Sequence, residues 1–107
     1  MEAIVAVKVE IYKYFEDAKD FGFRNQITRA GLSVLCNIAE GIERSTVKDK
    51  VYFLTVARSS GAELFTQVHI GWQIGYIEKQ VAEYWCKEID EICAMLVGLI
   101  CHIEIPT

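Results

Sequence analysis

Proline, paired cysteines and long apolar runs are what this 107-residue sequence has least of. The one Pro, Pro106, sits at the C-terminal end, so nothing breaks a helix inside the chain. Seven Gly and no low-complexity stretch exclude a collagen-like or linker-rich design. No apolar run approaches the ~18–20 residues that span a bilayer. The longest lies within Ala94–Cys101, with charges on both sides. The start, Met1 to Lys8, carries no basic n-region and no cleavage site, so the expected location is cytoplasmic, without membrane association. The four cysteines, Cys36, Cys86, Cys93 and Cys101, form no Cys-x-x-Cys pair, and no zinc knuckle or redox motif is signalled. At spacings of seven and eight, the last three share a helical stripe. They stand too far apart to bridge, and read as small core residues.

What is present is apolar. Hydrophobic residues make up 52% of the chain and charged ones 24%. Mean hydropathy is positive, +0.21. Such a chain offsets its ordering entropy by burial, which excludes disorder. For so short a sequence the surplus implies a rich core, or apolar surface covered by another subunit. The length fits one domain, residues 1–107.

Charge is unevenly spread. The net is −4 overall. Residues 1–23 carry −2, residues 24–58 carry +3 and residues 59–107 carry −5. The mean potential opposes a polyanion, yet the middle third offers Arg24, Arg44, Lys48 and Lys50 as a candidate basic face for RNA or DNA.

Four helices are expected. The first, from about Ala3 to Lys19, has its stripe at Ile4, Val7, Ile11, Tyr14, Phe15 and Ala18. Alternation of Val5, Val7, Val9 and Ile11 leaves a strand open for its first residues. The second runs from about Phe23 to Ile42, with Ile27, Ala30, Gly31, Val34, Leu35, Ile38 and Ile42 inward and Gly41 near a C-terminal cap. The third follows the capping box Thr46-x-x-Asp49 and persists to Gly75. The fourth covers about Glu78 to Glu104, striped by Val81, Trp85, Ile89, Ile92, Leu96, Leu99, Ile100 and Ile103. Short connections between long helices force antiparallel neighbours. The expected fold is all-α, an antiparallel up-down-up-down four-helix bundle. Phe53, Val56, Phe65, Ile70 and Trp72 widen the third helix's apolar face beyond the ~100° that a bundle core uses. Burial by oligomerisation follows.

Catalytic signals are sparse. His69 and His102 fall on different helices, and no nucleophile elbow, phosphate-cradling loop or dinucleotide fingerprint occurs. No Glu-x-x-His supports a carboxylate-bridged metal pair. No cofactor, metal site or enzymatic activity is expected. Among the polar residues inside helices two and three, Arg29, Asn37 and Glu40 fall near one face, and Arg58 and Glu63 flank the small stretch Ser59-Ser60-Gly61-Ala62. Such a set fits a charge-assisted network that pins bundle register or a subunit contact, ahead of ligand binding or catalysis.

The run Asn25-Gln26-Ile27-Thr28-Arg29-Ala30-Gly31-Leu32-Ser33-Val34-Leu35-Cys36-Asn37-Ile38-Ala39-Glu40-Gly41 resembles the signature of the four-helix-bundle proteins encoded in bacterial ribosomal-RNA intervening sequences. So do the block Phe53-Leu54-x-x-Ala57-Arg58-Ser59-Ser60-x-x-Glu63-Leu64-x-x-Gln67 and the turn Gly75-Tyr76-Ile77. Together they span about residues 8 to 103. Where that family reads Ser-Ile-Pro-Ser-Asn-Ile-Ala-Glu-Gly, this chain has Leu35 for Pro and Cys36 for the second Ser, so a weaker kink is expected. The resemblance implies a left-handed bundle assembled as a ring, commonly a homopentamer, without enzymatic activity. It also implies kinship with the accessory variability determinant of diversity-generating retroelements, which binds nucleic acid and a reverse transcriptase. The positions it carries over are Arg29, Asn37, Glu40, Gly41, Arg58, Glu63 and Gln67, in structural roles. The function expected is therefore an oligomeric binding or scaffold protein for structured RNA or other nucleic acid. The alternative is a protein–protein adaptor, or a scaffold that binds only itself.

Overall fold

The computed structural model describes residues 2–105. It contains α1 (Glu2–Tyr14), α2 (Phe21–Glu43), α3 (Val47–Gln73) and α4 (Lys79–Glu104), and no strand among the described residues. Each helix packs on its neighbours in turn: α1 on α2, α2 on α3, α3 on α4, and α4 back on α1. The result is an antiparallel four-helix bundle, 50 × 21 × 20 Å. The core is aliphatic, with Ile11, Ile27, Val34, Leu54, Leu64, Val68 and Ile89 fully buried around Trp85.

The start of the chain is helical, not extended. Ile4, Val7 and Ile11 point inward while Val5 and Val9 point out, which is the three-and-four spacing rather than alternation. α1 stops at Tyr14, short of the expected Lys19. Past it the chain tightens, with Glu16 and Ala18 donating backbone bonds three residues back, to Lys13 and Phe15. The reversal starts there because Asp20 begins the next helix. Its Oδ1 accepts the Phe23 N–H at 3.0 Å, an N-cap that starts α2 two residues before the expected Phe23.

α2 runs unbroken past Leu35. The amide at that position keeps the helical ladder that a proline would interrupt. Gly41 is not a cap: it lies inside α2, whose C-cap is the extended Arg44. Its role is close approach, since a Cβ there would sit 2.9 Å from Leu54 Cγ. Thr46 caps α3 as expected, its Oγ1 accepting the Asp49 N–H at 3.1 Å. α3 ends in a left-handed Gly75 at φ 83°, which turns the chain so that Tyr76 N–H and Ile77 N–H both reach Gly71 O. Glu78 caps α4 without a side-chain bond; its N–H instead donates to Tyr14 Oη at 3.1 Å.

That end of the bundle is tied twice across distant sequence. Tyr76 Oη donates to Asp20 Oδ2 at 2.8 Å, joining the α3–α4 turn to the start of α2. The bonds from Phe23 N–H and Tyr76 hold the Asp20 carboxyl below its ordinary value of 3.8. A carboxylate whose folded pKa is depressed stabilises the fold above its unfolded pKa and ceases to as pH falls through the folded one. Thermal melts from pH 6 to about pH 2 should therefore show an acid-side loss of stability that Asp20→Asn reduces. Equal pH dependence of the two proteins would show that Asp20 carries none of it.

Candidate functional site

The small residues expected between α2 and α3 are the best-buried polar feature of the protein. Ser60 is 8% exposed, and its hydroxyl lies 2.7 Å from that of Ser33 across the helix pair. Asn37 Nδ2 donates to Ser33 O at 2.8 Å and to Ser33 Oγ at 3.1 Å. At the next residue of α3, Gly61 meets α4 so closely that a Cβ would stand 2.6 Å from Cys93 Sγ. The polar residue types are thus paired at the seam, by serines rather than by arginines.

The charged members of the expected network point elsewhere. Arg29, Arg58 and Glu63 are exposed and make no side-chain hydrogen bond or ion pair among the described residues. Glu40 pairs outward with Arg44 at 3.0 Å, one turn along the same helix. Gln67 is half-buried, with Oε1 buried and without a protein partner. Only Asn37 of that set enters the Ser33–Ser60 cluster. Ser33 and Ser60 were visible in the sequence as small residues one helix apart. What was missing was the register that sets them opposite each other.

The basic residues divide into two groups. Arg44, Lys48 and Lys50 lie at the α2–α3 connection. Arg24 lies at the other end of α2, roughly 30 Å away at 1.5 Å per residue. Three of the four have internal partners. Arg24 donates to Glu16 O at 3.3 Å and lies over the Phe21 ring. Arg44 bonds Glu40 and stacks on Phe53, its guanidinium 4.6 Å from the ring centre. Lys50 Nζ donates to Ile42 O at 3.0 Å. Lys48 is exposed.

Exposed apolar side chains occur on every helix, and four of them lie on the α1–α2 flank. Val5, Val9 and Tyr12 stand on one side of α1, and Leu32 stands on α2. The two helices meet there, since a Cβ on Gly31 would touch Lys8 Cδ at 3.1 Å, and Tyr12 and Thr28 line one cleft. Leu32 is 50% exposed and Tyr12 61%, so neither is spent on the core of this chain. Of the residues expected to widen the face of α3, Phe65 and Ile70 are exposed, while Phe53, Val56 and Trp72 are half-buried.

The cysteines split. Cys86 and Cys93 are half-buried as expected, but Cys36 and Cys101 are exposed, because the helix turns them off the core stripe. All four are free. Burial pushes the Cys86 and Cys93 thiols up, which keeps them protonated and poorly nucleophilic. His69 is exposed, edge-on to Trp72, beside a cleft of about 120 Å³ that also meets Lys79 and Glu83. No Ser, Thr or Cys lines that cleft. His102 is exposed on α4. Among the described residues no group of three or more His, Cys, Asp or Glu could hold a metal ion, and no helix is long and apolar enough to cross a membrane.

Residues 1–98 match the family model described as 23S rRNA-intervening sequence protein. Among solved structures, a protein of unknown function of the S23 ribosomal protein family, from Bacteroides thetaiotaomicron, is similar in fold at a TM-score of 0.86. The two are 24% identical, and the match covers 92% of this chain and 95% of that one. No curated protein matches.

The serine pair gives a direct test of the α2–α3 seam. Ser33→Ala leaves the Ser60 hydroxyl and one Asn37 bond without a partner and should cost about 1 kcal/mol in urea unfolding. Ser33→Ala with Ser60→Ala should cost less than the sum of the single changes, because the second removes a group already orphaned. Strict additivity would mean that the two hydroxyls do not interact.

Proposed function

Because the chain belongs to the 23S rRNA-intervening sequence protein family, whose solved neighbour has no known function, we propose from its surface that it is a non-enzymatic, self-assembling scaffold. Copies join through the α1–α2 flank. The observation that carries this is the exposure of Val5, Val9, Tyr12 and Leu32 on two adjoining helices of one chain. Single exposed apolar residues are ordinary, but several on one side of a helix and on the helix beside it fit a covered face. A ring buries such a flank on each copy when the contact is head-to-tail and the rotation closes. Five copies is the number that the family resemblance implies. The absence of a Ser, Thr or Cys beside His69, and the protonated state of Cys93 beside Arg58, support a binding protein rather than an enzyme.

Light scattering coupled to size exclusion should give a mass near five chains for the full protein. Val9→Glu with Leu32→Glu should shift it to a smaller species that keeps its helical circular dichroism. A folded monomer of the unchanged chain at micromolar concentration would overturn this reading.

The cluster of Arg44, Lys48 and Lys50 at one end of the bundle favours a second reading, RNA or DNA binding. Around a ring, that end would repeat on each copy and bring Lys48 and Lys50 together many times, beside Glu43 and Asp49, on a chain of net −4. Phosphate contacts make such binding salt-dependent. A gel shift with structured RNA should then show retardation at low salt, weakened by Lys48→Glu. No retardation below ~100 μM protein, the range of non-specific affinity, would leave self-assembly as the sole reading.

A further inference from the structure

At the end of the bundle where α1 turns into α2 and α3 turns into α4, a cavity of about 410 Å³ opens to the surface. That volume lies within the range of small-molecule sites. Four aromatic rings wall it: Tyr14, Phe15, Phe23 and Tyr76. They are in contact in series, with centroids 5.1 Å apart for Tyr14–Phe15, 5.6 Å for Phe15–Phe23 and 5.2 Å for Phe23–Tyr76. Phe15 is 3% exposed and forms the floor. The two tyrosines are held at their tips, Tyr14 Oη by the Glu78 N–H and Tyr76 Oη by Asp20, so the rings are set before any ligand arrives.

The rim is acidic. Asp17 and Asp20 line the cavity against one cation, Lys19. The bonds that depress the Asp20 carboxyl keep it charged at neutral pH. Aromatic faces carry negative quadrupole charge, and a cage of them with carboxylates at its mouth attracts a weakly hydrated cation more than an anion or a neutral molecule. The chain does not satisfy this cage itself. Its three cation–ring stacks among the described residues are on Tyr12, Phe21 and Phe53, none of which walls the cavity.

We propose that this aromatic cavity binds a small organic cation of the alkylammonium class, its charged head against the rings of Tyr14, Phe23 and Tyr76 and beside Asp17 and Asp20. The site is separate from the α1–α2 flank and stands whether or not the chain assembles.

The test is a titration of the full chain with choline, and in parallel with dimethylbutanol, its neutral carbon isostere, followed by NMR of the aromatic side chains. Choline should shift the rings of Tyr14, Phe23 and Tyr76 and saturate in the millimolar range, with the isostere at least about tenfold weaker. Tyr76→Leu should weaken choline about tenfold, while Tyr76→Phe, which keeps the ring, should stay within about threefold. Asp17→Asn makes no cap and no bond to the fold, so it reads the charge without risk to folding; it should weaken choline a few-fold at low salt. Equal affinity for choline and its isostere would make this an apolar cleft and overturn the proposal. So would the absence of ring shifts at about 50 mM choline, far above the affinity expected of an aromatic cage.

Discussion

The bundle depends on how closely α3 can lie against its two neighbours. α3 is the long central rod, packed along α2 on one side and α4 on the other. Where it comes closest, the residues are small. Gly41 of α2 faces Leu54, Ser33 faces Ser60, Gly61 faces Cys93, and Gly71 receives both Ile77 and Phe23. A Cβ at Gly71 would stand 2.6 Å from Ile77 Cδ1 and 2.9 Å from Phe23 Cζ. Interiors packed at crystal density cannot absorb such intrusions without shifting a helix. The small positions therefore set the spacing, and the aliphatic stripe fills what the spacing leaves. The serine pair adds direction to it, because two hydroxyls that need each other fix which turn of α2 lies against which turn of α3.

With α3 so placed, α1 becomes the partial member. Its 13 residues rise roughly 20 Å, against roughly 39 Å for the 26 residues of α4. It is pinned at the turn end, where Trp85 Nε1 donates to Glu10 Oε2 at 3.0 Å and Tyr14 meets Glu78. Running back from there, it spans about half the length of α4. Beyond that reach Met95 and Leu99 stay exposed, and Ile42 of α2 with them. The apolar surplus of the composition is thus spread over all four helices, on the outer side of α1 with α2, on Tyr52, Phe65 and Ile70 of α3, and on Met95 and Leu99 of α4.

The fold was legible in the sequence because long, uninterrupted three-and-four stripes admit few arrangements. The Thr46 cap was legible too, being a local matter of a hydroxyl three residues from an amide. Errors came where two distant segments meet. The stripe continues through Phe15 and Ala18, which carries the expected first helix on to Lys19. Phe15 is indeed buried, but from a turn, tilted against Trp85 and Phe23. Gly41 carried the pattern of a cap, yet its reason is Leu54, thirteen residues away on another helix. The same blindness governed the candidate site. Helical spacing placed Arg29, Asn37 and Glu40 near one face, but could not say that Glu40 would turn to Arg44 or that serines would be the partners across the seam.

Charge also reads differently in three dimensions. The positive balance of residues 24–58 suggested one basic face. Folding separates it by the length of α2 and engages half of its six cations in local work. Arg44 covers Phe53, Arg24 covers Phe21, and Lys50 closes the carbonyl end of α2 at Ile42. Long cationic side chains commonly lie over apolar surface in this way, the stem packing while the head stays wet. Here Arg44 leaves Phe53 half-buried, while Phe21 still stands 61% exposed beneath Arg24. Any ability to hold a polyanion must come from what remains at the α2–α3 end, multiplied by the number of copies that bring those ends together.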